Sequence, residues 1–147
     1  LSSIDIKTFR TEESLNLSWS RSQVADFLYD HLEQYGDKKE DILSCIDFAF
    51  NPHRGGVIFT AAKDGELVGV CIINFTGMSG FIPENILVYI AVDGSTRGLG
   101  IGSRILEKVI LETDGNIALH VEPDNPAKKL YEKYGFTNKY LEMRLQK

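Results

Sequence analysis

The chain has 147 residues, 43% of them hydrophobic and 25% charged, a length at which one core can bury roughly 70% of the unfolded surface without disulfides or a structural metal. One domain spanning 1–147 is expected. Sixteen Lys and Arg against 21 Asp and Glu leave a net charge of -5, which argues against nucleic acid held by bulk electrostatics, and the longest apolar run, Ile86 to Val92, is far short of the ~20 residues of a membrane helix.

The alternation of Ile4, Ile6 and Thr8 with Asp5 and Lys7 predicts a strand at about 3–10. A helix follows, capped by Ser20 or Ser22, with Val24, Phe27, Leu28, His31, Leu32 and Tyr35 on one face and Gly36 as its stop. A second runs from Lys38 to Phe50 on the stripe Ile42, Leu43, Ile46, Ala49, Phe50, ended by Asn51-Pro52. Val57 to Lys63 and Glu66 to Phe75 are β-branched and aromatic, and Asp64-Gly65 between them is a two-residue hairpin signal. Ile86 to Val92 is apolar at both parities, as befits a central strand covered on both faces. After a glycine loop, Ile101, Ile105, Leu106, Val109 and Ile110 predict a helix to about Thr113; Ile117, Leu119 and Val121 predict a strand. Pro126 opens a helix with Ala127, Leu130, Tyr131 and Tyr134 on one face, and Tyr140 to Leu145 is expected to be the last strand. The order βααβββαβαβ implies an α+β fold in which the segment 86–122 is a parallel crossover within a mixed sheet. Cys45 and Cys71 fall in apolar surroundings without C-x-x-C spacing, which reads as two reduced core thiols and a cytoplasmic protein; no charged-then-apolar leader precedes Ile4.

Four glycines fall between Gly94 and Gly102, where a buried strand meets a helix. In Arg97-Gly98-Leu99-Gly100-Ile101-Gly102 the free amides of the helix N-terminus, the missing Cβ atoms and the Arg97 guanidinium together suit a phosphate; a tight turn needing only positive φ is the alternative. A P-loop would need Gly-Lys-Ser/Thr, and no lysine lies from Gly94 to Ser103. A dinucleotide fingerprint would need Gly or Ala at 103, which is Ser.

The pattern R/Q-x-x-G-x-G after a strand resembles the GNAT superfamily of acyl-CoA-dependent N-acetyltransferases. Ile90-Ala91-Val92-Asp93 with 97–102 resembles its coenzyme A strand and diphosphate loop; Leu119-His120-Val121, Asn125-Pro126-Ala127 and 130–136 resemble its second block. The resemblance is specific over about 86–136 and implies a GNAT-like mixed sheet of about six to seven strands with about four helices. The 11 residues after Phe136 imply an abbreviated closing hairpin.

It further implies acetyl-CoA as cosubstrate, with the main chain of Ile90 and Val92 bonding the pantetheine arm, Arg97, Gly98, Leu99, Gly100, Gly102 and Ser103 at the diphosphate, and Asn125 holding the arm while it caps its helix. Tyr131 matches the family tyrosine that protonates the departing thiolate; read without the motif, it is a packing residue. For the base, one family carboxylate position is Val88 here, and another matches His120, an imidazole able to take an ammonium proton near neutral pH or else a strand residue paired with Glu122. Glu84 is the reserve base. His31 and His53 lack metal-ligand spacing, so no metal is expected. The partner it implies is a small-molecule or peptide amine, with no nucleic acid or membrane expected, and the protein is expected to be a monomer or homodimer. Asp26, Asp30 and Glu33 could attract a cationic amine or form a solvated face. A non-catalytic acyl-CoA sensor of the same fold is the alternative function.

Overall fold

In the computed structural model, which describes residues 3–147, the opening alternation becomes strand β1 (Ile4–Phe9). Next comes a single helical turn, α1 (Glu12–Asn16), not expected from the sequence; the Thr11 side chain accepts from the Ser14 amide at its start, and Leu15 buries itself completely. Helices α2 (Arg21–His31) and α3 (Lys39–Phe50) follow, joined through a 3-10 turn at Glu33–Tyr35. Ser20 caps α2 in a reciprocal capping box with Gln23. Strands β2 (Gly56–Lys63) and β3 (Glu66–Phe75) meet at Asp64-Gly65, where both residues have positive φ (53° and 79°), as a type I′ hairpin requires. Strand β4 (Asn85–Val92), helix α4 (Ile101–Glu112), strand β5 (Ile117–Leu119) and helix α5 (Ala127–Lys133) complete the order.

The five strands lie in sequence order, antiparallel from β1 to β4 and parallel between β4 and β5. The α+β fold and the crossover are as expected; the strand count is five rather than six to seven, and the helix count five rather than four. The difference at the C-terminal end has a plain cause. Tyr140 to Leu145 alternates like a strand but has no strand partner among the described residues, and Tyr140, Leu141, Met143 and Leu145 stand exposed. A strand without a neighbour satisfies none of its backbone groups, so the pattern alone cannot form one.

Two apolar layers clothe the sheet. On one face α2 and α3 cover Ile58, Val70, Ile72, Tyr89 and Ala91. On the other, α4 and α5 cover Phe59, Cys71, Ile73 and Leu87. Both thiols are free and buried; burial pushes Cys45 up to about 12 and Cys71 higher still. Among the described residues no helix is long and apolar enough to cross a membrane.

Candidate functional site

The site begins where β4 and β5 part. Their starts are pinned: the Asn85 amide donates to the Asn116 carbonyl (3.1 Å), its side-chain NH2 donates to the carbonyls of Asp114 (2.6 Å) and Asn116 (3.1 Å), and the Asn116 amide donates to Glu84 Oε1 (2.7 Å). Pairing then stops after Leu87↔Leu119. From Tyr89 to Val92, β4 keeps β3 on one side and has no strand neighbour on the other among the described residues. The gap exposes the edge of Ile90 and Val92, the residues expected to bond an extended arm.

A bulge sets which side chains face each layer. In the β3–β4 register Ile72 pairs with Tyr89 and Ile73 with Leu87, so Val88 is the extra residue. Leu87 packs under α4, but Val88 and the next residue, Tyr89, both pack under α2 and α3. The insertion thus reverses the alternation and re-aims Tyr89. Its ring is buried and its hydroxyl donates to Asp37 Oδ2 at 2.5 Å, a contact that, with burial as the larger cause, raises the phenol's pKa.

Beyond Val92 the chain turns through Asp93, whose carboxylate accepts from the amide and hydroxyl of Ser95 (both 2.9 Å); those bonds hold its pKa below the usual carboxylate range. Gly98 and Gly100 adopt φ of +90° and +75°, and a Cβ at either would project into open space. Gly100 starts α4 with no side-chain cap, and the first amide of the helix to find a main-chain carbonyl is that of Arg104, donating to Gly100 (3.1 Å). The amides of Ile101, Gly102 and Ser103 therefore remain to serve an anion. A Cβ built at Gly102 would lie 3.4 Å from Leu130 Cδ2 and 3.7 Å from Val92 Cγ2, so β4, α4 and α5 converge there. Leu99 is exposed beside this head. Arg97 reaches Glu33 of the 3-10 turn (3.4 Å), and His31 Nε2 lies 4.0 Å from Asp93 Oδ2. Both partners of the Arg97 pair are about half exposed, with side-chain exposures of 56% and 55%, so the pair is weak and readily exchanged for another anion.

Tyr131 lies on α5 in the α4 layer, 7% exposed, with its ring 5.8 Å from that of Phe136. Its hydroxyl has no hydrogen-bond partner among the described residues; burial, then the Cys71 thiol, raises its pKa. Asn125 Oδ1 accepts from the Ala127 amide (2.9 Å), capping α5 and leaving its NH2 uncommitted. His120 lies one residue past β5, shorter than the expected strand; Leu119 and Val121 around it pack into the α4 layer while it stands exposed, without the expected Glu122 partner. Glu84 is engaged as the brace for Asn116, which lowers its pKa and places it at the pinned end, away from the splay. Among the described residues no group of three or more His, Cys, Asp or Glu could hold a metal. Tyr89, Asp37 and Glu33 were not singled out together by the sequence because their contacts depend on the bulge and on the path of the chain after α2.

The acetyltransferase (GNAT) domain model matches residues 54–138, a span holding β2 to α5 and therefore the whole splay and loop. The 5-NmdU N-acetyltransferase of Pseudomonas phage PaMx11 is 28% identical over 103 residues, 69% of each chain. Among solved structures, the aminoglycoside N-acetyltransferase AAC(6')-Iy, in complex with CoA, superposes with a TM-score of 0.67 at 18% identity over 99% of this chain and 95% of that one. The ribosomal-protein-S18-alanine N-acetyltransferase from Escherichia coli does so with a TM-score of 0.70 at 18% identity over 94% and 80%. At these identities the two structures establish the fold alone.

Proposed function

Since the chain belongs to the GNAT acetyltransferase family, we propose that it moves an acetyl group from acetyl-CoA to a primary amine of a small molecule or peptide, by direct attack in a ternary complex. The observation that carries the proposal is the continuity of an unpaired strand edge at 88–92 with three partnerless amides at the head of α4. An extended pantetheine arm ending in a diphosphate has that alternation of amide and anion. The cosubstrate supplies the activated acetyl group; the chain supplies position, charge and protons.

In this reading the main chain of Ile90 and Val92 holds the arm, with the Asn125 NH2 opposite. Gly98, Leu99, Gly100, Gly102 and Ser103 present backbone to the diphosphate, and Arg97 leaves Glu33 to join them. The amine nitrogen bonds to the thioester carbonyl carbon and the C–S bond breaks. Of the two protons lost from the ammonium, one leaves through His120 to solvent before attack, and the other leaves the nitrogen after attack and restores the phenol proton that Tyr131 has given to the sulfur. A phenol raised by burial keeps its proton at neutral pH. The thiolate expelled beside it takes that proton.

The test is release of free thiol from acetyl-CoA across amines, amino acids and peptides, run on the wild type and on His120→Ala. Amine-dependent release is expected, with the acidic limb of the pH–rate profile altered in the variant. Acetyl-CoA binding without thiol release for any amine would make the protein a sensor rather than an enzyme, and an unchanged limb would remove His120 as the base.

A further inference from the structure

The C-terminal tail and the outer edge of β5 each look like one half of a strand pair. From Tyr140 to Leu145 an extended tail carries Leu141, Met143 and Leu145 on one face and Glu142 and Arg144 on the other. Those three apolar side chains are 84%, 89% and 84% exposed, and Arg144 pairs with its own neighbour Glu142. The sheet order ends at β5, whose far edge has no strand neighbour among the described residues. Along that edge Ile117, Leu119 and Val121 are only partly buried in the α4 layer, as are Leu130 of α5 and Phe136 just after it. The layer therefore stops in an unfinished apolar rim. Laid antiparallel beside β5 with Leu145 opposite Ile117, a tail sets Met143 opposite Leu119 and Leu141 opposite Val121, three apolar pairs on the rim face, and sets Glu142 opposite the exposed His120. Neighbouring registers do worse. A one-residue slip turns the apolar face to the other side of the sheet. A two-residue slip one way sets Glu142 against Glu122 and Arg144 against His120, and the other way sets Lys139 against Val121.

The tail that fits this edge is not the chain's own. Leu130 lies against Gly102 at the head of α4, and the Tyr134 hydroxyl donates to Glu107 further along that helix (2.7 Å), so α5 runs beside α4 in the same direction and delivers the chain toward the start of β5. An antiparallel neighbour must instead begin beside the end of β5. The residues at 137–140 would have to climb the about 13 Å from Ile117 to Val121 and then turn back, and a reversal alone takes about four residues. A tail arriving from a second copy is free of that constraint, and two copies related by a two-fold axis exchange tails reciprocally, so the contact closes on itself. At about 100 Å² of apolar surface per large side chain, the Leu141, Met143 and Leu145 of two copies and the rims they cover come to roughly the 1,200 Å² at which specific interfaces begin. We propose that the protein forms a two-fold dimer in which residues 140–145 of each copy add a strand to the β5 edge of the other, bringing Glu142 of one copy against His120 of the second. The sheet then runs on past β5, the apolar rim is covered, and the edge left open in the single chain is paired.

Sedimentation of the full chain over a dilution series tests the dimer, and engineered cysteines test its register. The wild type is expected at twice the 16.5 kDa of one chain, and Met143→Asp, at a position with no packing to lose inside its own chain, should give a monomer with the circular dichroism of the wild type. For the register, chains carrying only His120→Cys are mixed at high dilution with chains carrying only Glu142→Cys, then concentrated and oxidised. Directly opposite residues of an antiparallel pair have Cα atoms about 4.5–5.5 Å apart, within reach of a disulfide, and the native Cys45 and Cys71 are buried. A disulfide joining the two different chains is expected. A wild type that stays monomeric at every concentration, a dimer that Met143→Asp leaves intact, or a mixture that forms no mixed disulfide would overturn the proposal. So would a disulfide closed within a single chain when both cysteines are placed on it, which would show each tail covering its own edge.

Discussion

Replacing Tyr131 by Phe removes one oxygen and leaves the ring against Phe136 and the α4 layer. Because that hydroxyl has no protein partner among the described residues, its loss should change stability by no more than about 1 kcal/mol, or roughly 2–4 °C in Tm for a chain of this size. The expected effect on catalysis is of another order. A positioned general acid contributes about 10²- to 10⁴-fold, which at about 1.36 kcal/mol per decade is roughly 2.7–5.5 kcal/mol of barrier. Removing the phenol should therefore lower kcat by that factor while the protein still melts where the wild type does and is still stabilised by acetyl-CoA. The assay pairs thiol release at saturating acetyl-CoA with melting curves recorded with and without it. A turnover within about threefold of wild type would refute the acid assignment, since proton donation to a departing thiolate is worth far more than that. Loss of the acetyl-CoA shift together with turnover would show that Tyr131 acts in binding instead.

Gly100→Val should lower Tm modestly, because φ of +75° is strained for a branched side chain by about 1–2 kcal/mol, but no protein atom lies within 4 Å of the new Cβ. Its larger effect should be on the acetyl-CoA shift, which for the wild type near ~100 Kd is worth about 2.7 kcal/mol; a variant that keeps the whole shift would contradict the anion cradle. Glu84→Ala should be less stable than wild type at neutral pH and equal to it in acid. The Asn116 amide holds the Glu84 pKa below its unfolded value, so its contribution is present above the unfolded pKa and is lost as pH falls through the folded one. A Tm difference that persists at pH 2 would assign the brace to something other than the carboxylate's charge.

The parts of this fold legible in the sequence are those where local pattern and tertiary demand coincide. The stripes of α2, α3 and α4 bury most of the face they announced, with Ile110 of α4 exposed and Tyr35 falling in the 3-10 turn beyond α2, and Asp64-Gly65 made the turn its residue types require. Helix α1 escaped notice because five residues carry less than two turns of periodicity; its signal was Thr11 three positions before Ser14, followed by one buried Leu15. The strand expected at Tyr140 to Leu145 failed for the opposite reason. Alternation states what a strand would look like if an edge were available to it, and edges are tertiary facts.

The loop and the splay differ in the same way. Glycine spacing between Gly94 and Gly102 is local, and the positive φ values at Gly98 and Gly100 follow from it. The bulge at Val88 leaves no mark in a run that is apolar at both parities, yet it decides that Tyr89 faces the α2/α3 layer, opposite the α4 layer in which Tyr131 of α5 lies. A regular β4 would have turned Tyr89 into the α4 layer that holds Tyr131, away from the 33–37 segment. One inserted residue therefore puts two buried tyrosines on opposite faces of the sheet, Tyr89 against α2 and α3 and Tyr131 in the α4 layer, a placement no count of alternating positions along β4 would give.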